Sequence, residues 1–141
     1  MPSIRFVVLC VFRDKGRILV GKGYDGVKDE EFLRPLGGSV EFGESAVEAV
    51  RREIREELRA EVTELVQLGF VENIFTCDGQ PGHEIVAVFD AKFADSTLYA
   101  MDRIPLFEEW WGTEALWISL ADLPAMPLYP DGLVELVAAA V

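Results

Sequence analysis

Three glutamates, Glu53, Glu56 and Glu57, stand close together directly behind Arg52, and the glycine pair Gly37-Gly38 precedes them by a polar stretch that includes Glu44. Carboxylates this near to one another repel unless a cation sits among them. The cation that suits them is hard and oxygen-seeking. Magnesium, with manganese as its substitute, binds through a few carboxylates and keeps waters and substrate phosphates in its remaining positions. Such a site favours attack of water on phosphorus, because the metal acidifies the water and offsets charge on the phosphate oxygens. Gly38 offers a further donor, since without a side chain its carbonyl can approach an ion closely. The bland alternative is a solvated helix face stapled by Glu48–Arg52 and Arg52–Glu56 pairs. Three acids alone favour that alternative; the glycine loop ahead of them moves the reading toward a site.

Acids spaced in this way need a helix to gather them. In residues 44–58, Val47, Val50, Ile54 and Leu58 recur at three- and four-residue intervals with no internal Gly or Pro, which predicts an amphipathic helix. At about 100° per residue, the three glutamates fill one sector and flank the apolar face made by those four residues. Upstream, residues 4–13 and 17–20 read as a hairpin turned by Asp14-Lys15-Gly16, residues 21–31 as a loop, and 32–36 as a short strand. Downstream, residues 62–77 and 84–93 read as two strands joined by turn residues 78–82 and pairing as a second hairpin. Residues 116–118 read as a strand, 120–123 as a helical turn, and 131–140 as a closing helix capped by Asp131. No repeat, linker or low-complexity tract divides the chain. Residues 1–141 are therefore expected to form a single α/β domain, with helices packed on a mixed sheet. Trp110, Trp111 and Trp117 are expected to pack in the core or its rim rather than to stack on a base.

The stretch from Gly38 to Glu57 resembles the signature of the Nudix hydrolase family. It runs Gly38, five residues, Glu44, seven residues, Arg52-Glu53, the aliphatic Ile54, one residue, then Glu56-Glu57. The resemblance implies an α/β/α sandwich in which the loop and helix pack against a mixed β-sheet, and a magnesium-dependent pyrophosphohydrolase. It also implies roles: Glu53, Glu56 and Glu57 as metal ligands together with the Gly38 carbonyl, and Glu53 as a group that also orients or deprotonates the water. Arg52 would hold a carboxylate in place through charge-assisted hydrogen bonds, Glu44 would be a supporting ion-pair residue, and Gly37 would support the loop. Two positions depart from the family pattern. Arg59 stands where the family has glycine, and Ala60 is a small version of its aliphatic position. Leu36 also alters the usual Pro-Gly-Gly approach. A glycine at position 59 would end the helix in a left-handed conformation, so Arg59 is either forced into that conformation or the helix runs on through it.

A second candidate site is His83-Glu84, opening a strand. A lone histidine is usually a structural hydrogen-bonding residue, whereas Glu84 could bind metal, water or substrate. Acids in residues 102–109 are an alternative source of a general base. The formal charge of −12 argues against a nucleic-acid polymer as partner, since backbone binding draws on clustered lysine and arginine. The expected partner is a small nucleotide, its phosphates bridged to the acids by metal. Candidates are a nucleoside diphosphate linked to a group X or a nucleoside triphosphate, with dinucleoside polyphosphates, nucleotide sugars and oxidised nucleotides as alternatives. A noncatalytic nucleotide-sensing module is the rival from another class. The longest apolar run is too short for a membrane span, the start does not resemble a secretion signal, and a cytoplasmic protein is expected. Cys10 and Cys77 are expected to be inert buried thiols. A homodimer is left open.

Overall fold

The structure is a computed structural model and describes residues 2–107, 112–121 and 126–139. These residues form eight strands and two α-helices in the order β1 (Ile4–Asp14), β2 (Arg17–Asp25), β3 (Glu30–Arg34), β4 (Leu36–Ser39), α1 (Ala46–Leu58), β5 (Val62–Cys77), β6 (Gln80–Phe93), β7 (Arg103–Pro105), β8 (Glu114–Ser119) and α2 (Leu133–Ala139). One mixed sheet runs β5-β6-β1-β2-β8-β7, with β3 on β2 and β4 on β1. β1 and β6 are parallel, and the other pairs are antiparallel.

The unbroken apolar run at the start of the chain has its explanation here. Val7 through Phe12 are all buried, because β1 is covered on both faces and alternation has no solvent side to record. Val8, Cys10 and Phe12 point to the layer under α1, where Ala49, Val50, Ile54 and Leu58 meet them. Val7, Leu9 and Val11 point the other way, against Leu133 and Val137 of α2. The result is a helix–sheet–helix sandwich with two apolar layers. Burying Ile54 or Val50 contributes about 1.5–3 kcal/mol each.

Several boundaries differ from the sequence expectation. Residues 21–31 are a hairpin rather than a loop: β2 continues to Asp25 and pairs with β3 from Gly21↔Arg34 to Asp25↔Glu30. Polar composition marks a loop only where no partner strand satisfies the backbone. The strand expected over residues 32–36 divides at Pro35, which has no N–H to donate to a ladder. The β5–β6 hairpin closes on Asp78-Gly79, both with φ near +50 to +76°, so Pro81 and Gly82 belong to β6. The closing helix starts at Leu133, with Asp131 and Gly132 in the turn before it. The strand near residue 116 is β8, and residues 103–105 add β7 beside it. Trp117 packs on Tyr99, with ring centroids 5.6 Å apart, and lies under Arg17. Trp110 and Trp111, and residues 122–123 of the helical turn expected at 120–123, lie outside the described residues. Cys10 is buried and its thiol is pushed up by that burial, whereas Cys77 is only half-buried.

Helix α1 opens on a capping box. The Ser45 hydroxyl accepts from the Glu48 N–H and the Glu48 carboxylate accepts from the Ser45 N–H. It closes on Arg59, which is left-handed at φ 52°, ψ 39° and donates its backbone N–H to the Arg55 carbonyl. The family's glycine position is thus filled by an arginine in glycine's conformation. Its guanidinium lies 4.1 Å from the Phe107 ring centroid. The left-handed backbone costs about 1 kcal/mol, and the stacking returns about 0.5–1 kcal/mol. Arg59→Gly is accordingly expected to change stability little, whereas the same substitution in a Phe107→Leu background raises it by about 1 kcal/mol. Denaturant midpoints with unchanged slope check this, and equal effects in both backgrounds reject the coupling.

Candidate functional site

β4 and the turn after it deliver the glycines to the first half of α1. Gly38 pairs with Val8 and Gly37 with Leu9 on the central strand. A Cβ at Gly38 would come within 2.5 Å of the Glu53 carboxylate, so glycine there gives this side chain its place. A Cβ at Gly37, where φ is +158°, would collide with the Val8 carbonyl. The two glycines therefore have different tasks: one admits a carboxylate, the other admits the neighbouring backbone.

Arg52 gathers the acids. Its Nε and Nη2 donate to the two oxygens of Glu44 at 2.7 and 2.9 Å. Its Nη1 donates to Glu53 Oε1 at 2.9 Å and to Glu56 Oε2 at 3.2 Å. Nη2 also reaches the Ser39 carbonyl at 3.0 Å, tying the helix to the glycine strand. One guanidinium thus bridges three carboxylates in a planar fork that lysine could not reproduce.

Glu57 differs from its two companions. Its residue is only 3% exposed, and it sits within the buried face among Val50, Ile54 and Leu58 rather than beside it. The helical repeat explains this, since Glu57 falls about 20° from Val50 around the axis, inside the stripe. Conversely Val47, expected on that stripe, is 43% exposed; in the first turn the layer is filled by Ala46 and Val40. The Glu57 carbonyl accepts from the Phe107 N–H at 2.8 Å, which latches the segment after β7 onto the end of α1.

The Glu44 carboxyl is held well below its ordinary value of 4.5, at about 2, chiefly by the hydrogen bonds from Arg52 and further by the Glu41 N–H, against desolvation. A carboxyl with a lowered folded-state pKa stabilises the fold above its unfolded value, and that contribution is lost as pH falls through the folded value. Wild-type stability is expected to fall between about pH 4.5 and 2 in part through Glu44. Glu44→Gln should flatten that portion of a denaturation-versus-pH curve; parallel curves would reject the assignment.

His83 and Glu84 separate because they are adjacent on a strand and point to opposite faces. His83 Nε2 stands 3.4 Å from Glu72 Oε1 but makes no hydrogen bond among the described residues. Glu84 is 2% exposed and engaged on both oxygens: Oε1 accepts from Arg34 Nη2 at 2.9 Å and Asn73 Nδ2 at 3.1 Å, and Oε2 from Arg5 Nη1 at 3.3 Å. Arg5, Glu84 and Asn73 are direct partners on β1, β6 and β5, so the sheet register places them in one row. Around this row lie two cavities. One of about 120 Å³ is bordered by Arg5, Gly37, Gly38, Phe75 and Glu84. A larger one of about 220 Å³ is bordered by Asp25, Lys28, Phe32, Asn73, Phe75 and Tyr129, among others. Arg34 borders both. Sequence reasoning missed Arg5, Arg34 and Asn73; the one local signal was a charged residue inside the apolar run of residues 32–36.

Among the described residues no set of three His, Cys, Asp or Glu side chains is gathered around a point that would hold a metal ion. No helix among them is long and apolar enough to cross a membrane.

A sheet sandwiched by helices, with a glycine strand feeding an arginine-clamped acidic helix, defines a class, and comparison with known proteins agrees. The NUDIX domain family model matches residues 1–137, and the chain belongs to that family as a Nudix hydrolase. The chain is similar to a MutT NUDIX hydrolase structure from Burkholderia pseudomallei, at 26% identity and TM-score 0.71, covering 96% of this chain and 97% of that one. A MutT structure from work on Aliivibrio salmonicida and Vibrio cholerae shares the fold at 24% identity and TM-score 0.64, covering 99% and 100%. So does an ADP-ribose pyrophosphatase from Streptococcus suis, at 16% identity and TM-score 0.61, covering 97% and 92%.

Proposed function

We propose that residues 1–141 act as one catalytic domain that hydrolyses the diphosphate link of a nucleoside diphosphate carrying a further group X, or of a nucleoside triphosphate, with magnesium. The observation that carries this reading is the seating of the Glu53 carboxylate in the space that Gly38 leaves, bonded through Arg52 to Glu44 and Glu56. The ADP-ribose pyrophosphatase of the same fold supports a nucleotide anhydride as the substrate class.

The donor set fits a hard divalent ion. The candidate ligands, three carboxylates and the Gly38 carbonyl, are all oxygen donors, and Glu53 and Glu56 share one guanidinium nitrogen, which puts both within reach of a common cation. Glu53, Glu56, Glu57 and the Gly38 carbonyl are the residues that would hold it. When bound, the ion supplies Lewis-acid polarisation of a phosphate oxygen and a more acidic water. The chain's own residues do the rest: Arg52 fixes the rotamers of Glu53 and Glu56, Glu44 neutralises and orients Arg52, and Glu53 orients the attacking water.

The test is a screen of the purified chain against nucleoside triphosphates, ADP-ribose, nucleotide sugars and dinucleoside polyphosphates, with products identified. Activity is expected to vanish with chelator and return with magnesium or manganese. Full turnover in metal-free buffer overturns the metal assignment, and no turnover of any of these with metal overturns the function.

A further inference from the structure

We propose that Arg5 and Arg34, both fixed on the buried carboxylate of Glu84, form the anion-binding wall that seats the substrate's phosphates beside the glycine strand. This rests on the pyrophosphohydrolase reading and adds to it the residues that place the substrate.

The first argument is electrostatic. A chain of formal charge −12 repels a nucleotide unless cations are concentrated where it binds. Arg5 and Arg34 border the smaller cavity together with Gly37 and Gly38. The larger cavity also carries Asp25, Glu30 and Asp131, whose carboxylates disfavour phosphate. An anion entering this cleft is therefore driven to the Arg5 end, which is the end shared with Gly38 and hence with Glu53.

The second argument is the state of the Arg34 side chain. Arg34 is 9% exposed, and its Nε is a buried donor with no hydrogen-bond partner among the described residues. A buried guanidinium held by one carboxylate through a single nitrogen is under-satisfied. A buried ion pair contributes little that a well-packed apolar pair would not, so packing alone gives no reason for Arg34 and Glu84. Phosphate, like carboxylate, matches the planar guanidinium fork.

The third argument is connection. Arg5 Nη2 donates to Ser39 Oγ at 2.5 Å, while the Ser39 carbonyl accepts from Arg52. Ser39 thus joins the Arg5–Glu84–Arg34 cluster to the Arg52–Glu53–Glu56 cluster across one residue. Glu84, which accepts from Arg5, Arg34 and Asn73, is a positioning residue in this arrangement.

The test is calorimetric binding of α,β-methylene-ADP, a probe that is not hydrolysed, in metal-free buffer so that the arginines act alone. Arg5→Gln alters a side chain that is 55% exposed and leaves the fold intact. Arg34→Met combined with Glu84→Met removes both buried charges at once, so neither is left unpaired. Each is expected to weaken binding by about tenfold or more, equivalent to about 1.4 kcal/mol. Lys92→Gln, which removes an exposed cation far from the cleft, should leave affinity within about twofold. Unchanged affinity in both arginine variants overturns the proposal, as does an equal loss in Lys92→Gln or a wild-type chain that does not bind the probe. Turnover of Glu53→Gln reports separately on the hydrolase reading. If Glu53→Gln is inactive while both arginine variants bind normally, the arginine wall alone is rejected. If Glu53→Gln is fully active, the hydrolase assignment of the site is rejected whatever the arginines do.

Discussion

Glu53→Gln is expected to lower turnover by roughly 100-fold or more on the best substrate, a transition-state loss of about 2.7 kcal/mol. The amide keeps the size and most hydrogen bonding of the carboxylate but neither its charge toward a cation nor its basicity toward water. Glu56→Gln and Glu57→Gln should follow with similar losses. Glu48→Gln is the matched control. It lies on the same helix, but its carboxylate is committed to the Ser45 N–H, a bond that glutamine at this position also makes. Folding should survive in all four, since the substitutions at Glu53, Glu56 and Glu57 relieve repulsion among acids when metal is absent and Glu48→Gln keeps the capping bond. Wild-type turnover in every variant would falsify the assignment of these acids and leave only a solvated helix face.

The second large effect divides two adjacent glycines. Gly37→Ala places a methyl inside the Val8 carbonyl on the central strand, where backbone must move, and is expected to cost about 3 kcal/mol or more of stability. Gly38→Ala meets only the far end of the flexible Glu53 side chain. It should fold with a stability change of about 1 kcal/mol or less, yet lose roughly tenfold to 100-fold in turnover, because the displaced carboxylate no longer holds its geometry. Thermal unfolding and steady-state kinetics on the two variants check the division. Comparable stability in both, or full activity in Gly38→Ala, would show that the glycines share one role.

What the chain announced locally it announced well. Helix α1, its buried Val50, Ile54 and Leu58, and the order of glycine, arginine and glutamates are short-range patterns, set by a repeat of about 3.6 residues and by capping chemistry that needs no distant partner, although Val47 of the same repeat lies exposed. The hairpin of residues 21–31 and the early start of β6 were not legible, because a polar or glycine-bearing segment becomes a strand only when a neighbour supplies its hydrogen bonds.

Side-chain roles divide in the same way. Composition and spacing determined that three acids and an arginine share one helix and that a divalent metal suits them. Only the tertiary structure decided that Glu57 lies within the buried layer, that Arg59 takes the left-handed conformation, and that Gly38 makes room for Glu53. It also decided the fate of Glu84. Its partners Arg34 and Arg5 are 50 and 79 residues away, and the parallel pairing of β1 with β6 sets Glu84 in one row with Arg5, on the face opposite His83. Strand register carries that information, and a one-residue slip would have exchanged the two side chains.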